Sequence, residues 1–314
     1  MKKLISAIIT TYKRPINIVR RAVESVVSQS YYPLELIVVN DNPEDMLLSD
    51  AISAMLENYK DKIDIKYVIM EISSGACAAR NEGAKHSHGE YLAFLDDDDV
   101  WVKDKLLWQM EKFSSEKTVL VTGLAEVISE GRHWIYNDKE RYSGEVLDKL
   151  LASNFVRGCS VPLIKRDAFF SVGGFDIRYR ASQDLNLWIK LAKLGEFEFV
   201  EKILVEYHIS QNSITSNMNN RIQGWELILS DFQSDFEKHK LSKQRLLLSI
   251  YEESYKIGDK KKKTEYRKKA YQCAGISKAY LRSTIKCCLP LRLFEILREF
   301  KRMFATKRTE SFRA

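Results

Sequence analysis

The sequence predicts an α/β fold in which helices cover both faces of a doubly wound, mostly parallel sheet, followed by a helical and basic C-terminal extension. Short apolar runs alternate with segments of helical periodicity over the first third of the chain, which is typical of strand–helix–strand units. Such units pair their strands in parallel through right-handed crossovers. The charge balance changes sign after residue 237, which separates the extension from the sheet.

Four strands and four helices are expected in this alternation. The apolar runs predict strands at 4–10, 35–40, 65–70 and 90–96. Pro15 opens the first helix, and further helices are expected around 47–58, at 76–85 and through 106–110. Polar clusters follow three of the strands, at Thr10-Thr11-Tyr12, Asn40-Asp41 and Asp96–Asp99. Ligands bind such sheets at the carboxyl ends of the strands, so the three clusters are expected to share one edge.

The composition describes a globular protein with reduced thiols. With 314 residues, 45% of them hydrophobic and 30% charged, the chain can hold one large domain and an appendage. The five cysteines form no CxxC pair and no zinc-binding spacing. The N-terminal apolar run is short and lacks a cleavage site, and no run reaches the roughly 18 residues of a membrane span. We therefore expect a cytoplasmic protein.

The basic extension is expected to have a partner of its own. From residue 238 onward it carries 22 Lys and Arg against 7 Asp and Glu, whereas residues 1–237 carry 28 against 36. The predicted units are a sheet domain at 1–220, a helical extension at 221–289 and an amphipathic tail at 290–314. Apolar residues from Leu293 to Phe304 share one helical face of the tail. This pattern is typical of a helix in an anionic membrane interface, here the inner face of the plasma membrane. A helix packed on the domain is the alternative.

Four consecutive aspartates end the fourth strand, in the stretch FLDDDDVW at 94–101. Adjacent carboxylates repel one another, and a nearby apolar core makes their charged forms costly. Either the acids begin the next helix in solvent, or a cation neutralises them. The segment TTYKRP after the first strand contains no glycine cradle for phosphate, so a divalent cation would also serve a bound diphosphate. Strand alternation would point Asp96 and Asp98 the same way and Asp97 the other, and such a carboxylate pair suits Mg²⁺ or Mn²⁺.

Six segments of the chain, in this order, resemble the family 2 glycosyltransferases: IITTYKRP, VVNDNP, GACAARNEGA, FLDDDDVW, VGGFD and SQDLNLW. The resemblance covers about residues 4–215 and implies a GT-A fold with a DXD metal motif. It further implies an inverting enzyme that moves a sugar from a nucleotide-diphosphate-sugar, expected to be a UDP-sugar, to a hydroxyl group. Cell-surface polysaccharide synthesis on a lipid-linked or oligosaccharide acceptor is the implied setting, and nucleic acid is not an expected partner.

The resemblance also implies roles for individual residues. Asp184 in SQDLNLW would be the general base that deprotonates the acceptor hydroxyl, and Asp98 with His208 would hold Mn²⁺ or Mg²⁺. The residues implied to contact the nucleotide are Thr10, Tyr12, Arg14, Asp41, Arg80, Asp96 and Asp97. Those implied to contact the acceptor are Gly174, Phe175, Gln183 and Trp188. The region 132–160 is where acceptor choice is expected.

Each of these residues also has a structural interpretation. Thr10 and Asp41 could have no role beyond the turns that end their strands. Asp184 could be an acid that merely stabilises a helix N-terminus. Arg80 could be a solvated helix charge and His208 a core or loop histidine, while Trp188 also fits a core position. Relatives often carry Glu where Gln183 stands, so this chain lacks one charge that would raise the pKa of Asp184.

Two other functions remain open from the sequence alone. One is a nucleotidyltransferase that makes a nucleotide-sugar, which would need a glycine-rich, basic loop after the first strand, and TTYKRP is not one. The other is a non-catalytic carbohydrate- or cation-binding module, which would not need a base such as Asp184. No motif specifies the donor sugar, the acceptor, the linkage or the oligomeric state.

Overall fold

The computed structural model of the protein describes residues 2–129, 132–136, 140–208 and 217–290. The strands are β1 (Ile5–Thr11), β2 (Leu34–Asn40), β3 (Asp64–Ile69), β4 (Tyr91–Asp96), β5 (Val100–Trp101), β6 (Thr118–Ser129), β7 (Arg132–Ile135), β8 (Leu163–Lys165) and β9 (Glu196–His208). The helices are α1 (Ile16–Val27), α2 (Met46–Glu57), α3 (Ala76–Lys85), α4 (Lys105–Met110), α5 (Leu147–Ala152), α6 (Arg166–Ser171), α7 (Gln183–Ala192), α8 (Met218–Asp231), α9 (Gln233–Lys238), α10 (Lys240–Lys256), α11 (Lys260–Ala274) and α12 (Lys278–Lys286). The four predicted strands and four predicted helices are confirmed.

The strands of the described residues form one sheet in the order β3-β2-β1-β4-β8-β6-β9-β5, with β7 paired to β6. β1 pairs in parallel with β2 and β4, and β2 pairs in parallel with β3, as predicted. β8 runs antiparallel to both β4 and β6, whereas β6 and β9 are parallel. The short strand β8 therefore joins the parallel N-terminal half to the strands that the sequence did not predict.

The two faces of the sheet carry separate cores, because alternate residues of each strand point to opposite faces. On one face, Ile8 and Phe94 pack with residues of α3, α5 and α7. On the other, Ile9 and Leu95 pack with residues of α1, α2 and α4. Helices on both faces confirm the predicted doubly wound architecture.

The C-terminal helices form a third core around Leu247, Tyr251 and Tyr266. Two helices flank Gly258-Asp259, as predicted. Phe236 of α9, in contrast, packs into the core beside α5 and α7, so the extension is attached directly to the sheet domain. The domain boundaries at 220 and 289 stay predictions, and the tail from 291 onward lies outside the described residues. No helix within the described ranges combines the length and the apolarity needed to cross a membrane.

Candidate active site

The carboxyl ends of β1, β2 and β4 lie side by side. The strand register pairs Thr11 with Asn40 and Thr10 with Asp96, so the predicted convergence of the three polar clusters is confirmed. Tyr12, the first residue after β1, is 50% exposed at this edge. An exposed aromatic ring at the end of a strand is available to stack on a planar ligand.

Asp41 follows β2 and is buried. Its carboxylate accepts hydrogen bonds from the backbone N–H groups of Ser74 (2.8 Å) and Gly75 (2.7 Å). These bonds fix the loop ahead of α3, the helix that carries Arg80. The role of Asp41 in base recognition stays a prediction, and the structure adds a second role in holding this loop.

The four aspartates form a turn rather than a continuation of β4. The strand ends at Asp96, and the N–H of Asp99 donates to the Asp96 carbonyl at 3.0 Å. The predicted alternation of the acids is therefore wrong, because extended geometry stops before Asp97. Arg14 instead contacts two successive acids, through Nε to Asp97 Oδ1 at 2.9 Å and through Nη2 to Asp98 Oδ2 at 3.0 Å.

Three arginines surround the acids. Besides Arg14, the buried Arg80 places Nη2 2.5 Å from Asp96 Oδ1, and Arg21 of α1 donates to the backbone carbonyl of Asp98 at 2.6 Å. The repulsion among the carboxylates is thus relieved by guanidinium groups, in addition to any cation. Sequence reasoning missed Arg21, whose only signal was a basic residue on the helix that Pro15 opens.

Burial nevertheless raises the pKa of several acids in this turn. It raises the pKa of Asp97 to about 6 against the opposing effect of Arg14, and it raises the pKa of Asp98 in the same way. Burial and the charge of Asp96 raise the pKa of Asp99 well above its usual range. The Ser160 hydroxyl, which donates to the Asp99 carboxylate at 2.6 Å, acts in the opposite direction. Additional positive charge at this turn would therefore favour the ionised acids.

His208 is the last residue of β9 and lies near Asp98. Together the two side chains supply only some of the ligands that a divalent cation needs. The described residues contain no group of three His, Cys, Asp or Glu that could hold a metal ion by themselves. His208 Nε2 is buried without a hydrogen-bond partner among them, with the nearest carboxylate, that of Glu206, at 3.7 Å. Asp98 keeps a quarter of its side chain exposed. A carboxylate suits either Mn²⁺ or Mg²⁺, whereas an imidazole nitrogen suits Mn²⁺ better than Mg²⁺; either ion would take its other ligands from phosphate and water.

Asp184 lies in the first turn of α7, where Asn154 holds its carboxylate. Asn154 Nδ2 donates to Asp184 Oδ2 at 2.7 Å, and Asn154 Oδ1 accepts from the backbone N–H of Arg157 at 3.3 Å. Burial raises the pKa of Asp184, opposed by the Leu185 N–H, by Asn154 and by the charge of Arg80. Burial therefore raises the pKa of Asp184, as a glutamate in place of Gln183 would also have done.

The turn ahead of α7 is tightly constrained. Ser182, at its N-cap, has a φ of 60°, in the left-handed region that L-residues rarely occupy. Gly224 of α8 packs against this turn so closely that a Cβ there would lie 2.4 Å from the Ala181 carbonyl oxygen. The C-terminal extension therefore contacts the backbone that positions Asp184.

A cavity of about 430 Å³ opens at Asp184. Asn154 and Arg157 line it from the sheet domain, and Trp225 and Arg245 line it from α8 and α10. Several of its lining residues fall within 132–160, where acceptor choice stays a prediction. Asp184 is only partly buried, and it lines this space.

The model of a known family, "Glycosyl transferase family 2", matches residues 6–171, more than half of the chain. The chain belongs to this family. Curated relatives agree with this assignment. One is "Uncharacterized glycosyltransferase RT0329" of Rickettsia typhi, 30% identical over 78% of this chain and 74% of the relative. Another is "Putative teichuronic acid biosynthesis glycosyltransferase TuaG" of Bacillus subtilis, 35% identical over 69% and 83%.

A third relative has an acceptor in its name: "UDP-Glc:alpha-D-GlcNAc-diphosphoundecaprenol beta-1,3-glucosyltransferase WfgD" of Escherichia coli, 27% identical over 73% of this chain and 86% of the relative. Solved structures share the fold. S. aureus TarS superposes with a TM-score of 0.61 at 14% identity over 88% of this chain, which spans 50% of the TarS chain. The mannosyltransferase PcManGT from Pyrobaculum calidifontis, solved with GDP-Man and Mn²⁺, superposes with a TM-score of 0.64 at 16% identity over 96% and 85%. The predicted GT-A fold is confirmed.

Two residues that the sequence assigned to the acceptor lie in the core of this glycosyltransferase. Trp188 is fully buried, and Phe175 is 1% exposed. The ring of Phe175 packs on Phe94 at 5.1 Å between centroids and lies 5.4 Å below the guanidinium of Arg80. The prediction of acceptor contacts is corrected for both side chains, because neither has surface to offer. Phe175 instead supports Arg80 from below.

The other two predicted acceptor residues are nearer the site surface. Gln183 is partly exposed, and its Oε1 accepts a hydrogen bond from the Cys77 thiol at 3.0 Å. Gly174 has a φ of 65°, and a Cβ at this position would lie 2.7 Å from Asn81 Oδ1. Gly174 is therefore required by the turn itself, and its contact with an acceptor stays a prediction.

Proposed function

We propose that this family 2 glycosyltransferase transfers a sugar from a nucleotide-diphosphate-sugar, expected to be a UDP-sugar, to a hydroxyl group of a lipid-linked glycan, with inversion at the anomeric carbon. The observation that carries the proposal is the position of Asp184. It is a carboxylate of raised pKa at a cavity of about 430 Å³, on the domain whose strand-end acids are paired with arginines. Single displacement needs such a base for the acceptor hydroxyl, together with positive charge for the leaving diphosphate, and the charge of Arg80 is close enough to act on Asp184.

In the proposed reaction, Asp184 takes the proton of the acceptor hydroxyl as that oxygen forms a bond to the anomeric carbon. The bond between this carbon and the diphosphate oxygen breaks, and its electron pair leaves with the nucleotide diphosphate. Arg80 and Arg14 supply positive charge at the edge where the diphosphate is expected. A bound Mn²⁺ or Mg²⁺, held by Asp98 and His208, would neutralise further charge on the leaving group.

Two findings support the donor and the acceptor of this proposal. S. aureus TarS residues 1–349 have been solved in complex with UDP-GlcNAc, with a TM-score of 0.61 to this chain at 15% identity over 92% of this chain and 82% of that one. The relative WfgD takes a lipid diphosphate acceptor by its name. We extend both features to this protein, and with them a place in cell-surface polysaccharide synthesis, as the relative TuaG is named for teichuronic acid. Membership of the family argues against a nucleotidyltransferase or a non-catalytic module.

We also propose that the protein works on the cytoplasmic face of the plasma membrane, as a peripheral protein. A lipid-linked acceptor would be presented there, and nucleotide-sugars would reach the site from the cytosol. The support is the excess of Lys and Arg after residue 237 and the apolar face of the tail.

The donor is testable with the purified protein. Nucleotide-sugars with uridine, guanosine or thymidine are screened for thermal stabilisation and for release of nucleotide diphosphate, each with Mn²⁺ and with EDTA. We expect UDP-sugars to stabilise the protein and to be turned over with Mn²⁺ only, because Asp98 and His208 provide an incomplete ligand set without the diphosphate. Equal responses with EDTA would refute metal dependence. No response to any nucleotide-sugar would refute the proposed function.

A further inference from the structure

The cavity at Asp184 is shared between the sheet domain and the C-terminal extension. Trp225 and Ile228 of α8 line it together with Arg245, Leu246 and Ser249 of α10. Arg245 and Ser249 are four residues apart and therefore lie on one face of α10. About a third of the lining residues thus come from C-terminal helices, which lie outside the segment that the family model matches.

The face of α10 that lines the cavity is held in a fixed register. Gln244, adjacent to Arg245, is buried, and its Nε2 donates to the carbonyl oxygens of Ala270 and Gly275, both at 2.8 Å. These two bonds connect α10 to α11 and to the turn that follows it. A binding site on a helix held in this way is positioned more accurately than a site on a loop.

Arg245 is the available cation of this cavity. The other lining arginine, Arg157, is engaged, because it contacts Glu140 at 3.1 Å and stacks on Tyr136 at 4.3 Å. Arg245 is exposed and, within the described part of the chain, has no carboxylate partner. An unpaired guanidinium in an otherwise largely apolar cavity is suited to an anionic group, which it binds with paired N–H donors.

We propose that the extension forms the acceptor site, with Trp225 as a platform for a sugar ring and Arg245 as the binding residue for the diphosphate that joins the glycan to its lipid. The volume of about 430 Å³ lies in the usual range of roughly 300 to 1,000 Å³ for small-molecule sites. The apolar side chain of Leu246, which is only partly buried, lines the same cavity and suits the first carbons of the lipid. This inference rests on the proposed function and specifies which residues of the same site bind the acceptor.

The experiment compares Arg245→Gln with Arg282→Gln, a matched variant that removes an exposed arginine of α12 outside the cavity. Two probes are titrated by calorimetry with Mn²⁺ and saturating UDP present. One is α-N-acetylglucosaminyl diphosphate carrying a short alkyl chain, and the other is the same sugar as a neutral alkyl glycoside. The UDP affinity of each variant is measured first, as a test of folding and of the donor site.

We expect the wild type to bind the diphosphate probe, and Arg245→Gln to weaken this binding by about 10-fold or more, as for a lost hydrogen bond to a charged group. Arg282→Gln should bind like the wild type, and the neutral glycoside should not distinguish the variants. Equal weakening by both variants, equal effects on both probes, or no binding of the diphosphate probe to the wild type would overturn the proposal. UDP affinity stays unchanged in every one of these outcomes, whereas a wild type that binds no nucleotide would refute the proposed function instead.

Discussion

Asp184 keeps a raised pKa without a charged residue at position 183. Burial raises the pKa, while Asn154 and the Leu185 N–H stabilise the ionised form and hold the carboxylate in place. The net effect is a carboxylate whose pKa is raised above that of an exposed aspartate, which makes it more basic. Asn154 acts through Asp184, as a positioning residue.

Asn154→Ala tests that role through the pH dependence of turnover. Removing the donor disfavours the ionised carboxylate, so the pKa of Asp184 rises further, and the acid limb of the pH–rate profile moves to higher pH. We expect a shift of about one unit, since a hydrogen bond to a charged group contributes on the order of 1.5 kcal/mol.

Turnover of the preferred donor, measured from pH 5 to 9, checks this shift against Asn219→Ala, an exposed asparagine of α8. A uniform loss of rate at all pH values, with the limb unmoved, would show that Asn154 has no influence on the base.

Residue spacing predicted where the polar side chains meet more successfully than it predicted the exposure of individual side chains. The strand ends predicted that Thr10, Asn40 and Asp96 share one edge, because these signals are local. The role of Asp184 came from the family resemblance and stays a prediction. Whether Phe175 and Trp188 face solvent depends on packing against distant segments, which no local pattern encodes. The arginines could not be paired with particular acids for the same reason.

At the scale of elements, the short parallel strands were predictable and their later partners were not. Each of β1, β2 and β4 is an apolar run between turn signals, and all are buried. β8 has only three residues and pairs with strands far away in sequence. β6 could have been predicted in the same way as β1, β2 and β4, because its first ten residues form one continuously buried run.

The tail at 290–314 is an element for which the sequence alone makes a prediction. Its removal should abolish sedimentation with anionic liposomes, because each Lys or Arg near the surface contributes about 1 kcal/mol and the apolar face is lost. UDP binding and donor turnover should not change.

Sedimentation of the intact and truncated proteins, with neutral liposomes and high salt as controls, measures the effect. A truncated protein that still pellets with anionic liposomes would place the membrane contact elsewhere, and an intact one that never pellets would leave the tail as a packing helix.

For the whole molecule, one arrangement connects the proposed donor edge, the proposed base and the proposed acceptor cavity. The edge of β1, β2 and β4 carries the acids, α7 carries Asp184, and residues of the extension line the cavity at Asp184. The close approach of Gly224 to the turn before α7 couples the extension to the base through the backbone. The sequence predicted the first two parts from motifs, whereas the third arises from helices that it described only as a basic appendage.

The central claim is that Asp184 performs the chemistry and the strand edge performs nucleotide binding. Asp184→Asn separates the two, because it keeps the shape of the side chain and removes the base. With the donor from the screen, the account predicts that sugar transfer falls by about 10² or more, while UDP affinity stays within about twofold of the wild type. The matched variant is Asp148→Asn, at a partly exposed carboxylate of α5 that pairs with Lys149. It should keep both the rate of sugar transfer and the affinity for UDP. Transfer by Asp184→Asn at the wild-type rate would contradict the account.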